Sequence, residues 1–345
     1  MFAAMHLIQG AGGRVITFGS NLACIGAGPL KSRDNAKAYN KEEERELFKH
    51  TPAHAFYEKL GGDGVKFNVC FDLYLASPLN FESLDLASLN RAVQMTGGDL
   101  VYYSKFDSEK HGYKFYYDLF RSVSKITASQ VRIKARCSKG LSVTEYFGGF
   151  GLRELADFQL ASLDSDKTFG FTLRNDKSLN ESKAVHVQVA VLYVNVFGET
   201  RLRILNQSFQ VIKPINQYFK QCAAETFCQY LLMQKLARID RLGSMQVREE
   251  IISKVVDILA SYRSQCAPNS IPSQLVIPES LKLMPIYVLS ALKSNGLRLL
   301  STMRQLDTKI AHIQSLLSSP FTKMALRLYP RIYQITSAYQ LGSTQ

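Results

Sequence analysis

From Val131 to Cys137 apolar and basic positions alternate residue by residue. Val131, Ile133, Ala135 and Cys137 take one side of an extended chain, and Arg132, Lys134 and Arg136 the other. A similar short-strand pattern continues through LSVTEYF, DFQLASL, KTFGFTL, AVHVQVAVLYVNVF and TRLRILNQSFQV. Turn residues at Gly149, Asp164, Asn175-Asp176 and Gly198-Glu199 separate these runs. They predict an antiparallel sandwich or barrel over residues 130–213. Before it the pattern mixes periods: MFAAMHLIQGAGG ends a helix, GRVITFGS is a buried strand and KEEERELFK a charged helical turn region. VKFNVCFDLYLA follows as a second strand, then LDLASLNRAVQMTGG as a helix stopped by Gly97-Gly98. Alternating strands and helices imply a partly parallel sheet, hence an α/β unit over 1–129. After Pro214 the period is helical. Ile251, Val255, Ile258, Leu259 and Tyr262 share one face, as do Leu306, Ile310, Ile313 and Leu317, with Pro320 closing the second segment. The expected class is therefore multidomain, α/β then all-β then all-α, with a helical unit over 214–338 and a tail over 339–345.

A length of 345 residues with 46% hydrophobic content supports two or three cores. The formal charge of +13 favours an acidic partner: nucleic acid, an anionic membrane face or an acidic protein segment. The six cysteines form no CxxC pair and have no histidine at ligand spacing, so neither a metal site nor a disulfide framework is expected, and a reducing, cytosolic compartment fits best. No apolar run approaches the ~20 residues that span a bilayer.

The glycine-rich stretches do not carry nucleotide chemistry. In GAGPLKS, Leu30 precedes Lys31 where a phosphate loop needs glycine. GAGGRV precedes a strand instead of following one, so both stretches are expected to be turns. His186 sits inside a strand pattern, and no serine or cysteine lies in a nucleophile turn. Asp164 and Asp166 lack the oxygen series of a calcium loop and mark a loop tip. No catalytic residue, metal ligand or cofactor is expected.

The basic strands remain. Arg132, Lys134 and Arg136 share a face, and TRLRIL places Arg201 and Arg203 at i and i+2, so each of two strands shows a cationic row. Such rows are either the solvated side of a half-buried sheet or a surface for something acidic. Neither strand interleaves aromatics for base stacking, so an acidic peptide or lipid fits better than nucleic acid.

Six stretches resemble the cargo-adaptor (Sec24) family of the COPII vesicle coat. RCSKGLSVTEYFGGF is similar to that family's RCSTGLxxxxYFGNF, TRLRILNQSF to RRLRIHNLAL and SYRSQCA to YRKNCA. SQLVIPESLKLMPIYVLSALKS matches QLILPESLKLLPLYTLALLKS, VITFGSNLACIGAGPLKSRDN an IGPGxLKxRxD stretch, and MTGGDLVYYSKF a TGGxxYYYPxF one. The sister Sec23 family has RVTT-like sequence where this chain has RLRIL. The resemblance implies part of a von Willebrand-A-like trunk, a β-sandwich and a helical domain. The family's zinc finger would lie before Met1 and its gelsolin-like module after about Thr336. It also implies a non-enzymatic adaptor on the cytoplasmic side of the endoplasmic reticulum, selecting cargo for transport to the Golgi. Its partners would be the Sec23 subunit, a Sar-type GTPase acting indirectly, cytosolic tails of cargo and SNARE proteins, and an anionic membrane. The competing expectation is a truncated or diverged paralogue with a scaffold role and no cargo binding. Lys134 and Arg136 fall at the family's basic positions for acidic sorting signals. Lysine there offers a point charge where arginine would offer a planar fork. Arg132, Arg201 and Arg203 would form a wider basic surface toward lipid.

Overall fold

The computed structural model describes residues 1–49, 52–78, 83–150, 158–181, 183–271, 273–300 and 306–328. The expected helical residues 329–338 and the tail 339–345 lie outside the described residues. The α/β unit opens with helix α1 (Phe2–Ile8) and strand β1 (Gly13–Gly19), followed by helices α2 (Glu44–Phe48) and α3 (Pro52–Lys66). Strand β2 (Val69–Ala76), helix α4 (Leu86–Thr96), strand β3 (Leu100–Tyr103) and helix α5 (Ser108–Ser124) complete it. Its strands lie in order β1-β2-β3, all parallel. That agrees with the alternating pattern, because a parallel pair needs a crossover.

Helix α3 is a departure. The sequence places a strand from Val65, whereas residues up to Lys66 are helical and the strand starts at Val69. Three glycines, Gly61, Gly62 and Gly64, hide the helix from a propensity argument. Two of them are needed for close packing: a Cβ on Gly61 would lie 2.9 Å from Met95, and one on Gly64 would lie 2.7 Å from Thr96, both on α4. Helix α5 occupies a stretch the hydrophobic pattern leaves unassigned. Its aromatic residues Tyr113, Tyr116, Tyr117 and Phe120 are exposed, so they give no signal of a core face.

The β unit has strands β4 (Thr127–Cys137), β5 (Leu141–Gly148), β6 (Phe158–Asp164), β7 (Phe169–Asn175), β8 (Val185–Val194) and β9 (Thr200–Phe209). They form two antiparallel sheets, β6-β4-β8-β9 and β5-β7. Of the two expected forms, this is the sandwich. Its core gathers Val131, Ile133, Ala135, Tyr146, Phe150, Phe158 and Leu160. The helical unit comprises α6 (Ile215–Gln221), α7 (Ala224–Leu236), α8 (Ile239–Cys266), α9 (Met284–Lys293), α10 (Leu306–Ser318) and α11 (Phe321–Ala325). Ile251, Val255, Leu306, Ile310, Ile313 and Leu317 are buried, as their spacing predicts. The α/β and helical units share one continuous hydrophobic cluster, so the described chain has two cores for its three units.

Helix α10 joins the two units that share a core. Its Asp307 carboxylate accepts from the Leu84 N–H (2.6 Å), the Leu86 N–H (3.1 Å) and the Ser83 hydroxyl (3.1 Å) at the start of α4. Burial pushes this carboxyl up to about 6 against those donors, and burial pushes His312 on the same helix down to about 4. The two act in opposite senses. A raised Asp307 contributes stability that is present below its unfolded value and lost as pH rises through about 6. A lowered His312 contributes stability present above its unfolded value and lost as pH falls toward about 4. Between pH 7 and 5 each contribution changes by about 1–2 kcal/mol, so the two largely cancel. Urea titrations should find Asp307→Asn losing stability on acidification from pH 7 to 5 and His312→Gln gaining it. Parallel pH profiles in the two variants would refute the assignment.

Candidate functional site

Strand β4 brings the basic row to the outer face of the larger sheet. Register shows which residues share that face, because directly paired residues on antiparallel strands point the same way. Arg132, Lys134 and Arg136 stand opposite Leu192, Ala190 and Gln188 of β8, which stand opposite Leu202, Ile204 and Asn206 of β9. Arg132 and Arg136 are exposed, and Lys134 is half-buried. No carboxylate pairs with these three among the described residues. The outer face is thus a cationic row beside an apolar strip, Leu192–Leu202–Ile204.

Arg201 and Arg203 do not extend that row. They stand opposite Tyr193 and Val191, and Val191 pairs with buried Ile133, so both arginines belong to the other face of the sheet. The expected surface of Arg132, Arg201 and Arg203 is therefore divided between two faces. The physical reason is register parity, since a one-residue offset reverses every side chain. Arg201 is also paired, at 2.6 Å, with Glu199 of its own hairpin.

Where the sandwich meets the α/β unit there is a groove of about 550 Å³. The end of α3 supplies Gly62, Val65 and Lys66, with Asn68 just beyond; the sheet supplies Gln130, Arg132, Gln159, Leu192 and Thr200. Its charged lining residues are Lys66 and Arg132, and its lining contains no carboxylate. Gln130 has left-handed backbone (φ 52°) at an irregularity between Ser129 and Arg132, which locally shifts the β4–β8 register. Arg132 thus projects beside Gln159, its cross-strand neighbour. The groove takes in Arg132 of the row, while Lys134 and Arg136 lie further along β4, outside its lining. Lys66 was hidden because its segment resembles a strand. The recoverable signal is the helical face of Tyr57, Leu60, Gly61 and Gly64, at i, i+3, i+4 and i+7.

The other sequence candidates have structural roles. The His186 ring bonds to the Ser208 hydroxyl at 2.8 Å on the exposed outer face. Asp164 accepts from Lys125 at 2.7 Å, and Asp166 takes Arg121 (2.8 Å) and Lys323, which ties the LDSDK turn to both flanking units. Those cations hold the Asp166 carboxyl down at about 2, although burial alone would raise it. Among the described residues no cluster suits a metal ion, and no helix is long and apolar enough to cross a membrane.

Comparison with known proteins adds a family to this geometry. Residues 1–123 match the Sec23/Sec24 trunk domain, 128–212 the Sec23/Sec24 beta-sandwich domain and 223–326 the Sec23/Sec24 helical domain. The human protein transport protein Sec24C is 32% identical over 99% of this chain and 31% of its own length. Protein transport protein SEC24 B of Arabidopsis thaliana is 30% identical over 96% of this chain and 30% of its own. SED5-binding protein 3 of Saccharomyces cerevisiae is 29% identical over 94% and 34%. The crystal structure of the human COPII-coat protein Sec24c superposes with a TM-score of 0.85 at 29% identity, covering 93% of this chain and 42% of that one. The chain spans about a third of the length of these curated relatives.

Proposed function

This chain belongs to the Sec23/Sec24 family, on its Sec24 side, and from that premise we propose that it is a non-enzymatic adaptor of the COPII coat that binds acidic sorting signals. The observation that carries the binding step is the groove between α3 and β4. It is lined by Lys66 and Arg132 without any carboxylate and opens beside the row continued by Lys134 and Arg136. A guanidinium with no carboxylate partner among the described residues and a nearby ammonium form a receptor for a carboxylate, and Gln130, Gln159 and Asn68 add neutral hydrogen-bonding groups. Apolar Leu192 offers a contact for a hydrophobic side chain next to the acidic one. The ligand in this reading is the cytosolic tail of a cargo or SNARE protein. The Sec23 subunit, and a Sar-type GTPase through it, would hold the adaptor to an anionic membrane on the cytoplasmic side of the endoplasmic reticulum. The names of the relatives, transport proteins and a COPII-coat protein, support this placement.

Fluorescence anisotropy with a tail peptide carrying Asp-x-Glu, against its Asn-x-Gln analogue, tests the proposal. Lys66→Glu with Arg132→Glu is expected to weaken the acidic peptide on the order of tenfold or more, ~1.4 kcal/mol or above. Lys134→Glu with Arg136→Glu should weaken it less, and Lys134→Arg should tighten it. Unchanged affinity in the Lys66/Arg132 variant would remove the groove from cargo binding.

A further inference from the structure

The β8–β9 hairpin presents two apolar residues to solvent at its tip. Val194 and Thr200 pair as its last rung, and the chain turns between them with Phe197 82% and Val196 59% exposed. The turn is held rather than loose. The Asn195 side-chain oxygen accepts from the Phe197 N–H (3.0 Å) and the Glu199 N–H (2.9 Å), and the Gly198 N–H donates to the Asn195 carbonyl (3.1 Å). Gly198 supplies the left-handed φ of +81° that closes the loop. A phenylalanine fixed at a turn with most of its surface in water contributes little to any core.

The exposed apolar surface continues along one face of the sheet. On the outer face the rungs below Val194–Thr200 are Leu192–Leu202 and Ala190–Ile204, then the polar pair Gln188–Asn206. Leu192, Leu202 and Ile204 are exposed, and so is Ile126, just before β4 at the same end of the sheet. Apolar character thus concentrates at the tip and fades along the strands. Beside these rungs stand Arg132, Lys134 and Arg136, opposite Leu192, Ala190 and Gln188, with successive levels about 7 Å apart. Glu199 is the acidic residue of the turn, and Arg201 neutralises it at 2.6 Å. An apolar tip backed by cations that pair with no carboxylate among the described residues, on a chain of formal charge +13, matches an anionic bilayer. Apolar groups settle ~5–10 Å into the headgroup boundary, where lipid phosphates meet nearby cations. The gradient favours lipid over a protein partner, because a bilayer orders polarity by depth and a protein pocket does not.

We infer that this hairpin inserts Val196 and Phe197 into the headgroup region of an anionic membrane, with the β4 cations, Arg132 nearest, drawn to its phosphates. The contact presupposes an adaptor working at an anionic membrane, as proposed above, and adds a direct hold on the lipid. The basic groove, whose lining reaches Leu192 and Thr200, then opens beside the bilayer from which a cargo tail emerges.

The chain contains no tryptophan, so Phe197→Trp places a single reporter at the tip. With vesicles of phosphatidylcholine and phosphatidylserine its emission should shift to the blue and be quenched by brominated acyl chains. With pure phosphatidylcholine vesicles the shift should be far smaller. Flotation of the full chain with the serine-lipid vesicles should fall about tenfold in Val196→Ser with Phe197→Ser. The thermal midpoint of that variant, and its affinity for the acidic tail peptide without vesicles, should match the parent's. A parent chain that does not float would overturn both the membrane placement and the insertion. Parental flotation with unshifted tryptophan, or undiminished flotation of the double serine variant, would overturn the insertion alone, leaving binding by charge or a protein contact at the tip. An equal shift on pure phosphatidylcholine would overturn the role of the cations.

Discussion

Replacing Lys309 by methionine should cost the fold about 3–5 kcal/mol, because it strands a buried carboxylate. Lys309 on α10 and Glu44 on α2 are 1% and 0% exposed at their side chains and meet at 3.2 Å. The ammonium also donates to the Arg298 carbonyl at 3.1 Å. Burial pushes the Lys309 ammonium down while Glu44 holds it up. Without the lysine, Glu44 is left as a buried carboxylate without its counter-charge at the seam between the α/β and helical units. The pair is nevertheless incompletely satisfied, since Glu44 Oε2 has no partner among the described residues. Removing both charges should therefore be far milder than removing one, and Glu44→Leu with Lys309→Met is expected within about 2 kcal/mol of the parent protein. Equilibrium urea unfolding of the four proteins in this cycle measures both effects. A single Lys309→Met variant as stable as the parent would show that the seam is already wet.

Asp99→Ala should be comparably severe and should act on a different seam. Asp99, next to β3, accepts from Lys125 and from Lys167, whose side chains are 8% and 5% exposed. Lys125 bridges onward to Asp164 of the sandwich at 2.7 Å, and Lys167 also donates to the Gly98 carbonyl at 2.7 Å. Burial works to raise the Asp99 carboxyl, but the two lysines prevail and hold it well below the usual carboxylate range. Its contribution is thus present above the ordinary aspartate value and lost only as pH falls through the depressed one. Alanine would leave two buried ammonium groups short of a counter-charge, for a loss of about 3–5 kcal/mol. The acid limb of a pH–stability profile should also flatten. Limited proteolysis should cut first between α5 and β4 if this network holds the sandwich to the α/β unit. Intact resistance there would contradict that role.

Much of the architecture can be read from the residues. Two-residue alternation marks the six strands of the sandwich, and helical spacing marks the core faces of α8 and α10. Both are local consequences of side-chain direction. Gly97-Gly98 ends α4 as expected, and the structure supplies a further reason. A Cβ on Gly97, where φ is +81°, would stand 2.1 Å from the Ser162 carbonyl oxygen of the sandwich. Helix α3 was illegible for the same kind of reason, since its glycines serve contacts with α4 rather than turns. The candidate site was half legible: alternation separates Arg132, Lys134 and Arg136 from the core. It does not show that Arg201 and Arg203 face the other way, or that Lys66 comes to stand in the same groove as Arg132.

The sequence alone determined the order of the three units, their secondary structure class and the positive charge of the chain, because these depend on composition and on periods of two to four residues. Tertiary structure decided which charges act together. Register parity assigned the arginines to faces, and the docking of α3 completed the basic groove. The packing of α10 against α2 buried Lys309 and Glu44 together. Each of these depends on contacts between residues far apart in the chain, which no local period encodes.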